Sequence, residues 1–252
     1  MQVRFLGTSH AIPTATRCCC SLLLTVGDRN YLFDGGAPVT EQFARLGIPN
    51  TSVKAFFATH LHSDHITGAL PFFSLFNWYY KSAELDVYLP EQRGATLIRD
   101  YLAFTDGEPD PARLRFHVFD ETLRYDDGTV TVTAIRTLHL VREGNRPSFA
   151  FIISAEGKKL LFTGDLTHKL TDFPEILYRE DFDLLVTENA HCTTELLLEK
   201  LNGIKAKRVA VIHIKSDPER FRKLEEAKSS VPFELTVPND GDLLEFQNEN
   251  IE

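Results

Sequence analysis

The chain has no CxxC pair, no excess of positive charge and no long apolar run, and each absence removes a class of function. Its four cysteines, Cys18, Cys19, Cys20 and Cys192, offer no zinc-ribbon spacing. Three of them are consecutive. Adjacent side chains on a strand point to opposite faces, so this triplet makes a poor disulfide framework; reduced thiols and a cytoplasmic location are expected. Lys and Arg number 27 against 36 Asp and Glu, a net charge of −9. A general polyanion binder needs clustered cations, so at most a local basic rim is left. No segment approaches the roughly 18 apolar residues of a membrane-spanning helix. The opening MQVRFLGTSH has no charged stretch followed by an apolar one, so neither a membrane partner nor a signal peptide is expected. Fixed-period repeats and low-complexity tracts are missing too. Hydrophobic residues make up 43% and aromatics 11% of the 252 residues, enough for a packed core and against disorder.

Length favours neither one domain nor two, and the most linker-like stretch, DGEPDPAR at 106–113, is too short to divide the chain. QVRFLG reads as a strand, and CSLLLTV, a GDRN turn and YLFDGG as a hairpin. PVTEQFARLGI reads as a helix between Pro38 and Gly47. VKAFFAT is a buried strand, ITGALPFFSLFNWYY is apolar at helical spacing with a break at Pro71, and 91–104 is a helix after the strand DVYLP. RFHVFDETLRYDDGTVTVTAIRT alternates around an Asp-Gly turn at 127–128, and PSFAFIISAEGKKLLFTGD repeats that logic at Gly157. Then follow strand DLLVTE, helix TTELLLEKLN, strand RVAVIHI, helix PERFRKLEEAK and strand DLLEF. Two successive groups of strands then helices predict two packed sheets flanked by helices.

FFATHLHSDHITG, at 56–68, places His60, His62, Asp64 and His65 directly after a buried strand. Imidazole and carboxylate are ligands of zinc and related divalent ions. In an extended segment His60 and His62 share a side and can face one ion. Asp64 and His65 diverge, and serve a second ion if the chain turns helical there. His139, Asp165 and His213 each end a later apolar strand, where open α/β sheets build sites. The seven residues form one signal of two metal sites sharing a turn.

THLHSDH with the later His139, Asp165 and His213 resembles the metallo-β-lactamase superfamily, as do Asp34 in YLFDGG and the terminal NDGDLLEF. The resemblance covers essentially the whole chain, 1–252, as one domain, and implies an αββα sandwich of two mixed β-sheets flanked by helices. It implies that His60, His62 and His139 bind one ion, that Asp64, His65 and His213 bind the other, and that Asp165 bridges them. Asp34 would accept hydrogen bonds from ligand imidazoles and fix their tautomer; its other reading is a turn former. The cofactors expected are two divalent ions, zinc foremost with manganese or iron as alternatives.

Two such ions supply a bridging hydroxide near neutral pH and stabilise entering and leaving oxygens, so the expected chemistry is hydrolysis. A cysteine at 165 would resemble zinc β-lactamases and a glutamate at 62 the diiron flavoproteins; neither is present. TLHLVREGNRPSFAF lacks the Thr-Pro-Gly-His context of glyoxalase II-like thioesterases. GTSHAIPTATR and His191-Cys192-Thr193 resemble the ribonuclease Z-like phosphodiesterase branch and its His-Ser-Thr motif, with cysteine replacing serine. That resemblance makes His191, with Asp64, the candidate catalytic pair, His191 assisting proton transfer.

True tRNA-processing members carry a long tRNA-gripping arm, whereas only 25 residues separate His139 from Asp165. The expected substrate is therefore a small or nucleotide-type phosphodiester rather than tRNA. Carboxylic ester, lactone or thioester hydrolysis is the alternative chemistry, and a non-catalytic metal-binding sensor or interaction protein the alternative class. Candidate substrate contacts are His10, Arg17, Ser148 and His168, with Arg142, Arg146 and Lys215 as further phosphate-holding cations. His117 reads as structural. The aromatics Phe72, Phe73, Phe76, Trp78, Tyr79 and Tyr80 read as core, as a homodimer contact or as the lining of a base or acyl pocket.

Overall fold

The structure, a computed structural model, describes residues 1–247; the last five positions of the 1–252 domain expectation lie outside the described residues. The chain runs β1 (Gln2–Gly7), β2 (Ser21–Val26), β3 (Arg29–Phe33), α1 (Val39–Leu46), β4 (Val53–Phe57), α2 (Ser63–Ile66), α3 (Leu70–Ser74), β5 (Leu85–Leu89), α4 (Gln92–Asp106) and β6 (Leu114–Val118). It continues with β7 (Arg124–Asp126), β8 (Thr131–Thr137), β9 (Ser148–Ala155), β10 (Lys158–Phe162), β11 (Leu184–Asn189), α5 (Thr194–Leu201), β12 (Arg208–Ile214), α6 (Pro218–Ala227), β13 (Glu234–Thr236) and β14 (Leu243–Glu245). Two seven-stranded sheets result, ordered β14-β1-β2-β3-β4-β5-β6 and β13-β12-β11-β10-β9-β8-β7. In each, antiparallel pairs give way to parallel ones, from β3 onward in the first and from β10 onward in the second. This is the expected αββα sandwich.

Alternation along the strands builds three apolar layers. In β4, Ala55 and Phe57 enter the layer between the sheets, while Val53 and Phe56 face the helices. In β12, Ala210 and Ile212 face inward and Val209 and Val211 pack outward with α5 and α6 residues such as Leu197 and Leu224. Phe57 is the hub of the inner layer, stacked between Phe33 and Tyr88 at centroid distances of 5.2 and 4.8 Å. Truncating so buried a ring to alanine typically costs about 3–5 kcal/mol. Because one inner layer holds residues of both sheets, the strand ends of each sheet are fixed relative to the other. The candidate site sits on that shared edge.

Three local expectations are corrected. The segment 115–137 is not one unit: β6 joins the first sheet beside β5, and the chain then crosses to start the second sheet at β7. The cysteine triplet precedes β2 rather than lying on a strand, and all four thiols are free. The 66–80 segment is a chain of short turns, with a 3-10 turn at Thr67–Ala69 before α3 and a π-helical turn at Leu75–Tyr79 after it. Pro71 starts α3, where its missing N–H has no helical acceptor to lose. Within this segment Phe72, Phe73 and Phe76 are core, whereas Trp78 and Tyr79 are exposed. Among the described residues no helix is long and apolar enough to cross a membrane.

Candidate metal centre

Three local devices bring the donors together. The chain leaves β4 extended, so His60 and His62 emerge on one side, and α2 begins at Ser63 so that Asp64 and His65 turn toward the other sheet. Gly36 lets this turn seat: a Cβ there would meet the Asp64 carbonyl oxygen at 1.7 Å. The third device is a β-bulge. Pairing of β11 with β12 slips between Glu188↔Ile212 and Asn189↔Ile214, leaving His213 as the extra residue at φ 47°. Ile212 faces the inner layer, yet Ile214 packs outside, so the strand flips at His213 and re-aims its imidazole. Asp34 is also left-handed, at φ 54°. Two such non-glycine residues at one strand edge mark a site where local strain is tolerated for placement.

The donor atoms form overlapping sets. Asp165 Oδ2 lies 3.7 Å from His60 Nε2 and 3.6 Å from His139 Nε2. Its Oδ1 lies 3.4 Å from His65 Nε2 and 3.5 Å from His213 Nε2. His139 Nε2 is 3.3 Å from His62 Nδ1, and His213 Nε2 is 3.2 Å from Asp64 Oδ2. Ligands bound about 2.1 Å from one ion at tetrahedral angles stand about 3.4 Å apart, so these spacings fit cation-sharing groups. His60 Nε2 and Asp165 Oδ1 are buried with no hydrogen-bond partner, which in a protein of otherwise paired polar atoms points to a missing ligand. The residues present fit a pair of divalent ions.

Outer hydrogen bonds settle which ring atoms face inward. Asp34 Oδ2 accepts from His65 Nδ1 at 2.7 Å and from Thr59 Oγ1 at 2.8 Å, and Oδ1 accepts from the Thr59 N–H at 2.7 Å. With its proton committed to Asp34, the Thr59 hydroxyl accepts from His60 Nδ1, 3.1 Å away. One buried carboxylate thus fixes His65 directly and His60 through Thr59, leaving both Nε2 lone pairs toward the site. His62 is reversed: its Nε2 donates to Glu143 Oε2 at 3.0 Å and its Nδ1 faces inward. His213 has no such partner, its Nδ1 being buried and unpaired.

Four carboxylates, Asp34, Asp64, Asp165 and Glu188, are buried here, and their ionic partners among the described residues are all imidazoles. Burial disfavours the charged His65 ring, but the Asp165 and Asp34 charges outweigh it and hold its pKa well above the usual value. Burial pushes His60 well below, with the neighbouring imidazolium charges adding to the effect. Burial acts to raise Asp165, and the surrounding histidines, His213 and His65 first, pull it well below the carboxylate range. A buried excess of negative charge of this kind needs cations.

His191 lies in the turn after β11, two residues before Thr193 caps α5. Its ring is 33% exposed, stacks on His213 at 5.6 Å and has Nδ1 3.8 Å from Asp165 Oδ2. Behind it stands Glu188, which the motif reading missed. Glu188 Oε1 accepts from His191 Nδ1 at 3.0 Å, and Oε2 accepts the His191 and Ala190 N–H groups. Burial opposes a charged ring, but the Glu188 hydrogen bond and the Asp165 and Glu188 charges raise His191 to about 9. A glutamate inside the apolar run LLVTEN was the available signal. Thr59 and Glu143, also missed, carry no motif of their own.

The substrate-contact candidates scatter. His10 meets the His213 ring edge-on at 6.4 Å, and the Lys215 charge reaches it. Arg17 is a structural tie, donating to Thr8 Oγ1, the Pro238 carbonyl and Asn239 Oδ1. Ser148 is buried against Thr137, bonding its hydroxyl and carbonyl. His168 and Arg142 are exposed. Arg146 is engaged by Glu91 at 2.8 Å. His117 bonds Asp86 at 2.6 Å on β6, away from the cluster.

Two mixed sheets with this histidine–aspartate cluster on their shared edge place the chain in the metallo-β-lactamase superfamily of metal-dependent hydrolases. A solved structure, the metallo-β-lactamase fold protein YhfI from Bacillus subtilis, superposes with a TM-score of 0.75 at 19% identity, covering 96% of this chain and 98% of that one. Within the superfamily the chain belongs to the family described as Anti-Pycsar protein Apyc1, whose model matches residues 1–233. It is also similar to ribonuclease Z. With that of Natronomonas pharaonis it is 27% identical over 98% of each chain. With that of Thermosynechococcus vestitus it is 29% identical over 64% of this chain but 42% of that protein, less than half of its length.

Proposed function

We propose that the protein is a dinuclear metal-dependent phosphodiesterase acting on a small, nucleotide-type phosphodiester. The observation that carries this reading is the Asp165 carboxylate, whose two oxygens each face a separate pair of histidines. His60, His62 and His139 would hold one divalent ion, Asp64, His65 and His213 the other, and Asp165 both. Zinc suits the donor set best, and manganese or iron also accept it. Bound there, the cations would supply an ionised water and neutralise charge on the phosphoryl group.

The chain's own residues do the rest. Asp34 and Thr59 hold His65 and His60 in the ligating tautomer. Asp64, against His213, turns the second set toward the cleft. His191, held by Glu188 and open to solvent on one side, carries a proton to the leaving alkoxide. The ribonuclease Z relatives support phosphodiester chemistry. The short connection supports a small substrate: the loop 138–147, β9 and β10 use most of the chain between His139 and Asp165, so no arm projects there.

A substrate panel on metal-loaded protein tests the reading, with bis(p-nitrophenyl) phosphate, a lactone and a thioester. Turnover of the phosphodiester alone is expected. Turnover of the lactone or thioester alone would replace it with carboxylic ester chemistry, and none at all would favour a metal-binding sensor.

A further inference from the structure

A cavity of about 570 Å³ opens beside the centre, with Leu61, Ile66 and Leu70 on one wall and Leu97, Ile98 and Tyr101 of α4 on the other. We propose that this cavity receives the flat ring group of the phosphodiester held at the metal centre, with Leu97 and Tyr101 as the residues that set specificity. The proposal rests on the phosphodiesterase reading and deepens it by saying where the organic part of the substrate goes.

Continuity with the centre identifies the occupant. Leu61 lies between His60 and His62, and Ile66 directly follows His65, so one wall of the cavity and the donor turn are the same stretch of chain. At the rim Arg146 pairs with Glu91 at 2.8 Å and lies 4.0 Å from Glu143, which bonds His62. A phosphoryl group at the centre therefore sits within one side chain of the opening. The volume is that of a small-ligand site, and apolar walls with a few rim charges are what such sites use.

The α4 helix shows why the outer wall is unusual. Ala95, Ile98 and Leu102 pack into the core, yet Leu97 and Tyr101 stay 57% and 43% exposed. A flat ring lying between Tyr101 and Leu61 removes both from water and gains the stacking that makes aromatic side chains good base platforms. Gly94 keeps the inner wall in place, since a Cβ there would meet Leu61 Cδ1 at 2.1 Å. Phe104, 91% exposed on the same helix, lies outside the cavity lining. It extends the apolar stripe toward a rival occupant, a second copy of this chain.

The test compares two chromogenic diesters with the same leaving group, thymidine 5′-(p-nitrophenyl phosphate) and methyl p-nitrophenyl phosphate, on the metal-loaded full chain. The ratio of their kcat/KM values should fall about ten-fold or more in Tyr101→Ala and by a smaller factor in Leu97→Ala, and stay at the wild-type value in Phe104→Ala. An unchanged ratio in both cavity variants overturns the proposal. So does light scattering that shows Tyr101→Ala converting a dimer to a monomer with the ratio intact. If neither diester is turned over, the phosphodiesterase reading fails, and calorimetry with thymidine 5′-monophosphate decides the cavity separately. Binding to the wild type that is lost in Tyr101→Ala supports the pocket; no binding, or equal binding, overturns it.

Discussion

Asp34→Asn tests the outer hydrogen-bond frame most sharply, because one carboxylate supports both donor sets by different routes. Asparagine preserves shape, and its Oδ1 can still accept the Thr59 N–H, now at 2.7 Å. The other position becomes an NH2 group facing two donors, Thr59 Oγ1 and His65 Nδ1, that now reach Oδ2 at 2.8 and 2.7 Å. The His65 proton then favours Nε2, the atom 3.4 Å from Asp165 and 3.3 Å from His213, and must leave before that nitrogen can bind a cation. Loss of such an outer partner weakens metal binding by about 10- to 100-fold, or about 1.4–2.8 kcal/mol. Zinc titration against a chromophoric chelator, fitted to two sites, should show one site weakened by that factor. Thr59→Val, which removes only the support of His60 Nδ1, should weaken the other site. Wild-type affinities at both sites in Asp34→Asn, or the same site weakened equally by both variants, would refute the tautomer argument.

His191→Ala should lower phosphodiester turnover by about 100-fold with metal content unchanged by elemental analysis, and Glu188→Gln by a smaller factor because the ring stays but loses its charged acceptor. Gly36→Ala forces a Cβ onto the Asp64 carbonyl and should destabilise the fold by about 3 kcal/mol or more in urea denaturation. Asp86 is half-buried; burial would raise its pKa, but hydrogen bonds from Arg115 and His117 hold it below the usual value. Its folded pKa being depressed, its contribution is full above the ordinary value of about 3.9 and is lost as pH falls through the lower folded value. Asp86→Asn should therefore melt earlier than wild type at neutral pH, by roughly 1 kcal/mol after solvent screening, with the gap closing in acid.

The donor residues were legible because metal chemistry restricts them to histidine and carboxylate, and because strands deliver side chains to a rim. Their number and strand-end positions could be read from FFATHLHSDHITG, TLH, FTGD and VIH. The way His213 is aimed could not. Regular alternation puts it on the helix side with Val209 and Val211, and only the bulge against Glu188 and Asn189 turns it. Glu188 and Thr59 were invisible for a related reason: each acts through a partner brought from elsewhere by the fold, and neither has a spacing rule. The crossover from β6 to β7 escaped because alternation reports which face of a strand is apolar, not which sheet it joins. Arg17 looked like a phosphate ligand from its place beside the site loop, yet its guanidinium ties that loop to the 238–239 segment.

The most direct measurement is zinc stoichiometry and position in a crystal of the loaded protein, from anomalous scattering at the zinc edge. The account predicts two peaks, one within reach of His60, His62 and His139, the other of Asp64, His65 and His213, with Asp165 touching both. Protein that takes up no zinc, manganese or iron, or peaks lying away from Asp165, would contradict it.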